Sequence, residues 1–259
     1  MARVLVTGST TGLGLAAAHE LLDGGHSVVL HARNTQRAAE LGSLAARAAG
    51  VVIGDLASLG ETRSIAEQVN ILGRLDAVIH NAAVPSERER IPTAEGHARV
   101  PAVNLLAPYL LTVLIQRPAR LIYLSSGLHT SGRASLDDLD WTRRRWNGRQ
   151  AYSDSKLFLT VLAVAIARRW PDVRSNAVDP GWVPTRMGGP AASDDLTLGH
   201  ETQVWLATSD DPAAAVSGKY WYHQQIRSPA PAVSDRAFQD DLLHQLAVVT
   251  GEALPDHRT

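Results

Sequence analysis

Cysteine is absent from this 259-residue chain, and other residue types are scarce. Without a thiol there is no disulfide framework, no cysteine nucleophile and no cysteine-ligated zinc or iron–sulfur site. Aromatic residues make up only 5% of the sequence, and lysine occurs only as Lys156 and Lys219 among the 25 basic residues. Arginine is a rigid fork and lysine a flexible point charge, so a site that requires a side-chain ammonium must use one of these two.

The net charge and the hydropathy of the sequence argue against further classes of partner and against a membrane span. The 26 acidic residues nearly cancel the 25 basic ones, so we expect neither nucleic acid nor a membrane surface as a partner. No apolar run is long enough to cross a bilayer, and Met1 leads directly into a strand-like segment without a signal-peptide pattern. The ten histidines show no ligand spacing, so we expect no metal site. These features predict a soluble cytoplasmic protein.

Short β-branched runs alternate with longer amphipathic segments along nearly the whole chain. This alternation is typical of βα units that build a parallel sheet, and it predicts one α/β domain over residues 1–259. The predicted strands are 3–6, 27–31, 50–53, 75–80, 120–125, 173–178 and 217–222. The predicted helices are 12–23, 36–46, 59–71, 97–116, 150–169, 195–208 and 235–250. A capping box, Ser58 with Glu61, opens the third helix.

The first predicted strand ends in a glycine-rich turn that opens directly into a helix. Glycines let a pyrophosphate approach the backbone, and the helix N-terminus offers unpaired N–H groups and a positive dipole end. The spacing of the glycines differs from both the G-x-G-x-x-G fingerprint and the P-loop, so an ordinary tight turn is the alternative. The residues predicted to contact a dinucleotide here are Gly8, Ser9, Thr10, Thr11, Gly12, Leu13 and Gly14.

The second predicted strand indicates which dinucleotide would bind. An NAD site places a carboxylate at the end of this strand, whereas a 2′-phosphate calls for a cation. The strand continues through His31 and Ala32 to Arg33, with no acidic residue. Arg33 therefore favours NADP(H), with a solvated loop arginine as the alternative.

Tyr152 and Lys156 stand four residues apart on a predicted apolar helix, so they share one face. A phenol is a poor proton donor or acceptor near its ordinary pKa of about 10. A neighbouring ammonium favours the phenolate and brings the group toward proton transfer. This spacing is common by chance, so the pair alone does not establish a site.

Five motifs occur in order along the chain: the glycine turn at 7–14, Asn-Ala-Ala at 81–83, Ser-Ser at 125–126, Y-x-x-x-K at 152–156 and Pro-Gly at 180–181. With them the chain resembles the short-chain dehydrogenase/reductase family over roughly residues 1–225. It is most similar to the retinol-dehydrogenase-like and protochlorophyllide-reductase-like members, because SSGLHTSG and DDLDW precede AYSDSKL and PGWVPT follows it.

The resemblance implies a fold, a cofactor and residue roles. It implies a Rossmann-type doubly wound parallel sheet of order 3-2-1-4-5-6-7 with helices on both faces. Tyr152 would be the general acid/base, and Lys156 would lower the pKa of Tyr152 and hold the nicotinamide ribose. Ser126 would bind the substrate oxygen, and Asn104 would hold a relay water. Further residues implied to contact the cofactor are Asp55, Leu56, Asn81, Ala82, Ala83, Pro180, Gly181, Val183 and Thr185.

Two features depart from the family pattern. The usual Asn-Asn-Ala-Gly is replaced by a sequence that begins with His80 and ends with Ala83. An extended segment before Tyr152 carries two tryptophans and the basic run 143–145, which we expect to be solvated. We assign substrate binding to the loops 127–148 and 182–200. Residues expected near the pocket mouth are His129, Trp141, Trp182 and Met187.

The resulting expectation is an NADPH-dependent reductase of a ketone or aldehyde, acting as a monomer or homodimer. Reduction of a C=C bond is an alternative, because related enzymes use the same tyrosine and lysine for it. A non-catalytic NADP(H)-binding sensor is another. Sugar-nucleotide epimerases share Y-x-x-x-K, but only about 37 residues follow the last predicted strand, too few for their second domain.

Overall fold

The βα alternation builds a single eight-stranded sheet in the computed structural model, which describes residues 1–256. The strands are β1 (Arg3–Val6), β2 (Ser27–Ala32), β3 (Gly50–Ile53), β4 (Ala77–His80), β5 (Arg120–Leu124), β6 (Arg174–Asp179), β7 (Tyr220–Tyr222) and β8 (Gln225–Arg227). Their order is β3-β2-β1-β4-β5-β6-β7-β8, with the first seven strands parallel. The predicted order 3-2-1-4-5-6-7 is confirmed, with one additional strand at its end.

The additional strand β8 pairs antiparallel with β7 through a tight hairpin. The two turn residues, His223 and Gln224, both have positive φ angles, of 47° and 58°. Hairpins of this kind usually contain asparagine, aspartate or glycine, and neither turn residue belongs to that set. The sequence therefore carries no signal for this hairpin, and the prediction of seven strands was one short.

Nine α-helices are described within residues 1–256, and none is long and apolar enough to span a bilayer. They are α1 (Gly12–Asp23), α2 (Thr35–Ala39), α3 (Ser43–Arg47), α4 (Leu59–Leu72), α5 (Arg99–Pro101), α6 (Ala107–Leu114), α7 (Gly148–Arg169), α8 (Leu196–Thr208) and α9 (Arg236–Thr250). The single helix predicted over 36–46 was wrong, because Gly42 has a φ of +51° and separates α2 from α3. The helix predicted over 97–116 contains a π-helical turn at Ala102–Leu106 between α5 and α6.

Helices cover both faces of the sheet because alternate strand residues point to opposite sides. On one face, Leu5 and Tyr123 pack in a cluster with residues of α4, α6, α7 and α9. On the other face, Val4 and Ile122 pack in a second cluster with residues of α1, α3 and α8. Strands buried on both faces account for the continuous apolar runs in the sequence.

The C-terminal segment covers α6 and α7. The Phe238 ring of α9 lies 6.0 Å from that of Phe158 on α7, centroid to centroid. Beyond α9, the Tyr109 hydroxyl donates to the Glu252 carbonyl at 2.7 Å, and the Trp170 indole donates to the Pro255 carbonyl at 2.9 Å. Residues after the last strand therefore complete the core on this face.

His80, the unexplained departure from the family pattern, is a core residue. Its ring stacks on Tyr123 with 4.6 Å between centroids, and its Nε2 lies 3.3 Å from the Thr112 hydroxyl. The Thr112 hydroxyl also lies 2.7 Å from the Tyr123 hydroxyl. Burial lowers the pKa of His80 to about 3, so the ring is neutral in the folded protein.

This neutral histidine should make the fold sensitive to acid. The pKa of His80 falls from 6.5 to about 3 on folding. The contribution of the neutral ring to the free energy of unfolding is therefore complete above pH 6.5 and is lost as the pH falls toward 3. We expect His80→Asn to flatten the decline in unfolding free energy between about pH 6.5 and pH 4.5, by up to about 1.4 kcal/mol per pH unit. Urea unfolding at several pH values measures this slope.

The control is His244→Asn, which changes an exposed histidine on α9. It should leave the slope as in the wild type. An unchanged slope in His80→Asn would show that His80 is not the source of the acid sensitivity.

Candidate functional site

Parallel strands direct their carboxyl ends to one edge of the sheet, where the following loops meet. Here the loops after β1, β4, β5 and β6 converge at that edge, next to α7. Four of the five sequence motifs lie in these loops, and the fifth lies on α7.

The glycine turn is packed against the loop after β4. The Asn81 amide donates to the Thr7 carbonyl at 2.9 Å, and the Thr7 hydroxyl accepts from the Ala82 N–H at 3.0 Å. A methyl group on Gly14 would lie 2.3 Å from the Asn81 amide nitrogen, and Gly8 has a φ of +67°. The lack of space at position 14 and the positive φ at position 8 both favour glycine. The backbone of the turn forms a cradle beside the α1 N-terminus, and this cradle suits a pyrophosphate.

His31, at the end of β2, holds this cradle in place and was missed by the sequence analysis. Its Nδ1 accepts from the Gly8 N–H at 2.9 Å, and its Nε2–H donates to the Gly54 carbonyl at 2.9 Å. Its backbone N–H donates to the Ser9 hydroxyl at 2.8 Å. Burial lowers the pKa of His31, which keeps the ring neutral and able to accept. The sequence signal that could have indicated this role is a histidine two residues before Arg33.

The other residues predicted to bind the cofactor follow β2, β3, β4 and β6, at the edge of the sheet where the cradle lies. Arg33 is exposed just beyond β2, and the Asp55 carboxylate accepts from the Ala57 N–H at 2.9 Å. Leu56 packs in the core and is only 5% exposed, so its side chain offers little surface to a cofactor. A methyl on Gly12 would lie 3.4 Å from the Thr185 methyl, which places the loop after β6 directly over the glycine turn.

The remaining residues that were predicted to contact the cofactor differ in their exposure. Ser9 and Val183 are buried and Thr11 is exposed, whereas the remaining members are partly buried: Thr10, Leu13, Ala83, Pro180 and Gly181.

Lys156 anchors α7 to the sheet. Its ammonium donates to the Leu124 carbonyl at the end of β5, with 2.7 Å between Nζ and the oxygen, and the residue is 2% exposed. Burial lowers the pKa of Lys156 to about 7, while the charge of Asp179 raises it. The ammonium lies 5.6 Å from the centroid of the Tyr152 ring.

Tyr152 and Ser126 share a hydrogen bond between their side chains. Burial raises the pKa of Tyr152 to about 12, the bond to Ser126 lowers it, and Asp179 raises it. The expectation of a lowered pKa therefore does not describe this geometry, since the Lys156 ammonium is directed at Leu124. The neighbouring Ser125 is buried, with its hydroxyl 2.6 Å from that of Thr160.

Asn104 lies in the π-helical turn, and its amide is fully engaged. Its oxygen accepts from the Val84 N–H at 2.8 Å, and its nitrogen donates to the Val84 carbonyl and the Ser155 hydroxyl, both at 3.1 Å. The side chain ties the loop after β4 to α7. π-Helical turns occur often at functional sites, and this one contacts α7 at Ser155, one residue before Lys156.

The segment before Tyr152 is an ordered turn built on the Asp138 carboxylate, which accepts from the backbone N–H groups of Thr142 and Arg144. Trp141 has a φ of +54° and is 5% exposed. The Arg144 guanidinium stacks on its ring at 3.5 Å and pairs with Asp154 at 3.0 Å. The expectation of a fully solvated basic run was therefore wrong for Arg144.

Of the four residues expected near the pocket mouth, two are at the surface. Trp182 and Met187 are 53% and 42% exposed. Trp141 is buried as described, and so is His129, whose Nδ1–H donates to the Ser126 carbonyl at 2.8 Å while its Nε2 accepts from the Ala230 N–H at 3.1 Å. His129 thus connects Ser126 to the segment after β8.

Comparison with known proteins identifies the family. A family model described as enoyl-(acyl carrier protein) reductase matches residues 8–214. The chain belongs to the short-chain dehydrogenase/reductase family. It is 39% identical to the short-chain dehydrogenase chyC of Penicillium rubens, with 98% of this chain and 100% of that protein covered. It is also similar to human retinol dehydrogenase 13, at 30% identity over 98% of this chain and 86% of the relative.

Two further similarities bear on chemistry and fold. A Streptomyces protein assigned as the daunorubicin C-13 ketoreductase DnrU is 33% identical, with 96% and 92% of the two chains covered. The NADPH-bound carbonyl reductase from chicken fatty liver has a TM-score of 0.66 at 22% identity, covering 88% and 99% of the two chains. As a short-chain dehydrogenase/reductase with this cradle, the protein is an oxidoreductase with a site suited to a nicotinamide dinucleotide.

His31 should matter for cofactor binding although it lies outside the family motifs. We expect His31→Leu to weaken binding of a nicotinamide dinucleotide up to about tenfold, because the Gly8 N–H loses its acceptor and the cradle loosens. A fluorescence titration of NADPH measures the dissociation constant. His19→Leu, on the exposed face of α1, is the control, and equal affinity of all three proteins would contradict a role for His31.

Proposed function

We propose that this protein reduces the carbonyl group of a small, hydrophobic ketone or aldehyde with NADPH. The observation that carries the proposal is the meeting of Ser126, Tyr152 and Lys156 at the edge that holds the glycine cradle: Tyr152 shares a hydrogen bond with Ser126, and its ring centroid lies 5.6 Å from the Lys156 ammonium. The phenol of Tyr152 can donate its proton to a carbonyl oxygen as that oxygen gains charge, which is the proton transfer that reduction requires. The ketoreductase assignment of the Streptomyces relative points the same way.

NADPH, when bound in the glycine cradle, supplies the hydride. Ser126 and Tyr152 would both hydrogen-bond the substrate oxygen, and Tyr152 would give it a proton. Lys156 would stabilise the resulting phenolate by its charge, and its remaining N–H groups are directed at no protein acceptor among residues 1–256 other than Leu124. Asn104 would keep α7 and the loop after β4 in register.

The choice of NADP(H) rests on Arg33. It is exposed at the end of β2, where a cofactor 2′-phosphate would lie, and it forms no ion pair within the described part of the chain. An uncommitted guanidinium is a suitable partner for a phosphate. The loop before α2 contains no carboxylate that would repel the phosphate.

We assign the substrate to the loops 127–148 and 182–200, with an apolar entrance. The exposed hydrophobic side chains in the second loop and at the start of α8 are Trp182, Met187, Leu196 and Leu198. Apolar side chains exposed together beside a catalytic edge favour a hydrophobic substrate.

Tyr152→Phe is the direct test of the proton donor. We expect it to lower kcat for carbonyl reduction by about 10² to 10⁴ while NADPH still binds, because the ring remains and only the hydroxyl is removed. The loss of NADPH absorbance with a panel of ketones, aldehydes and activated alkenes measures the activity.

The control is Tyr222→Phe, at the end of β7. Equal activity of Tyr152→Phe and the wild type would exclude Tyr152 as the donor. Turnover of alkenes alone would replace the proposal with C=C reduction, and NADPH binding without turnover of any substrate would favour a sensor.

Arg33→Asp tests the choice of cofactor. The new carboxylate repels a 2′-phosphate and can accept from a ribose 2′-hydroxyl, so we expect the ratio of kcat/KM for NADPH over NADH to fall at least about tenfold. Arg74→Asp makes the same charge change before β4, at the opposite edge of the sheet. An unchanged ratio in Arg33→Asp would show that Arg33 does not contact the phosphate.

A further inference from the structure

Asp179 is a charged residue at the catalytic edge that belongs to none of the five motifs. It ends β6, whose neighbour is β5, and the Ser125 N–H donates to the Val178 carbonyl at 2.7 Å. One carboxylate oxygen accepts from the Tyr220 hydroxyl at 2.9 Å, and the other accepts from the Gly181 N–H at 3.0 Å. The carboxylate is therefore held in one orientation.

That orientation places the charge beside the proton-transfer residues. A methyl group on Gly127 would lie 3.2 Å from an Asp179 carboxylate oxygen, and Gly127 directly follows Ser126. On the adjacent strand, the Leu124 carbonyl binds the Lys156 ammonium. The Asp179 carboxylate and the Lys156 ammonium, which reaches over from α7, thus lie at the same end of β6 and β5, without a direct salt bridge.

The buried ammonium requires a compensating charge. Transfer of an ion from water into the interior is expensive unless it is paired, and Lys156 has one carbonyl acceptor among the described residues. Asp179 is the charged group that favours the protonated form of Lys156, and it also disfavours the phenolate of Tyr152. The other titratable groups around the carboxylate are His129, Tyr220, Tyr222 and Asp194.

We propose that Asp179 is a positioning residue whose carboxylate keeps Lys156 charged and Tyr152 protonated, and so sets the upper pH limit of the reduction. This inference rests on the proposed function for its activity readout. Lys156 and Tyr152 are close enough to titrate as a pair. Removal of a nearby negative charge lowers the proton affinity of both, so the first deprotonation of the pair moves to lower pH.

Because the chain has only two lysines, the titration of Lys156 can be followed directly, without an activity assay. Protein labelled with ¹³C and ¹⁵N in lysine gives two side-chain signals, one from Lys156 and one from the exposed Lys219, which Lys219→Arg assigns. We expect Asp179→Asn to lower the titration midpoint of Lys156 by about 0.5 to 1 pH unit and to leave Lys219 unchanged. Asp179→Ser, also neutral, should show the same shift, so the result does not depend on one variant folding.

The activity readout separates charge from structure. In Asp179→Asn we expect the alkaline limb of kcat against pH to move to lower pH by a similar amount. Tyr220→Phe removes a hydrogen bond to Asp179 but keeps its charge, and Asp194→Asn removes another carboxylate from the same edge, one that accepts from the Trp182 N–H. Neither variant should move the limb.

An unchanged Lys156 midpoint in both neutral Asp179 variants would overturn the inference. An equal shift of the Lys156 midpoint in Asp194→Asn would overturn it as well, because any carboxylate at this edge would then have the same effect as Asp179. If the wild type reduces no carbonyl, the proposed function fails, and the lysine titration still decides whether Asp179 sustains the charge of Lys156.

Discussion

The bond from the Lys156 ammonium to the Leu124 carbonyl is the interaction on which the site depends. It joins the helix that carries Tyr152 to the end of the strand that precedes Ser126, and so helps to set the relative position of both hydroxyls, together with the contact between the Ser125 and Thr160 hydroxyls. A buried ammonium is costly unless its surroundings compensate it. Only lysine, with a long flexible stem and a compact charge, can make this contact from α7, which explains a lysine in a chain whose other cations are almost all arginine.

Side chains outside the motifs hold the remaining loops at this edge. His31 joins the glycine turn to the end of β3, His129 joins the Ser126 loop to the segment after β8, and Asp179 joins the loop after β6 to β7. Each of these side chains makes two hydrogen bonds. Burial lowers the pKa of both histidines, so each ring keeps one donor and one acceptor. Loops preorganised in this way lose little further entropy when a ligand binds.

Most of the fold was predictable because it follows from local patterns. Helix α1 and strands β1 and β3 have the predicted bounds, since apolar periodicity and glycine signals agree there. The break at Gly42 had a local signal, a glycine inside the predicted helix. The hairpin at His223 and the π-helical turn at Asn104 were not predictable, because bonds to distant residues accompany these conformations. Ser58 caps α4 as predicted, yet the Glu61 carboxylate accepts from the Asp55 N–H rather than completing the capping box.

The sequence by itself determined which chemical groups are available: a glycine turn before a helix, a tyrosine and a lysine on one helical face, and no thiol. Only the tertiary structure decided their protonation. Spacing predicts that Lys156 lowers the pKa of Tyr152, whereas in the fold burial raises it to about 12 and lowers that of Lys156 to about 7. Burial and the charge of Asp179 come from strands and loops distant along the chain, so the local sequence cannot report them.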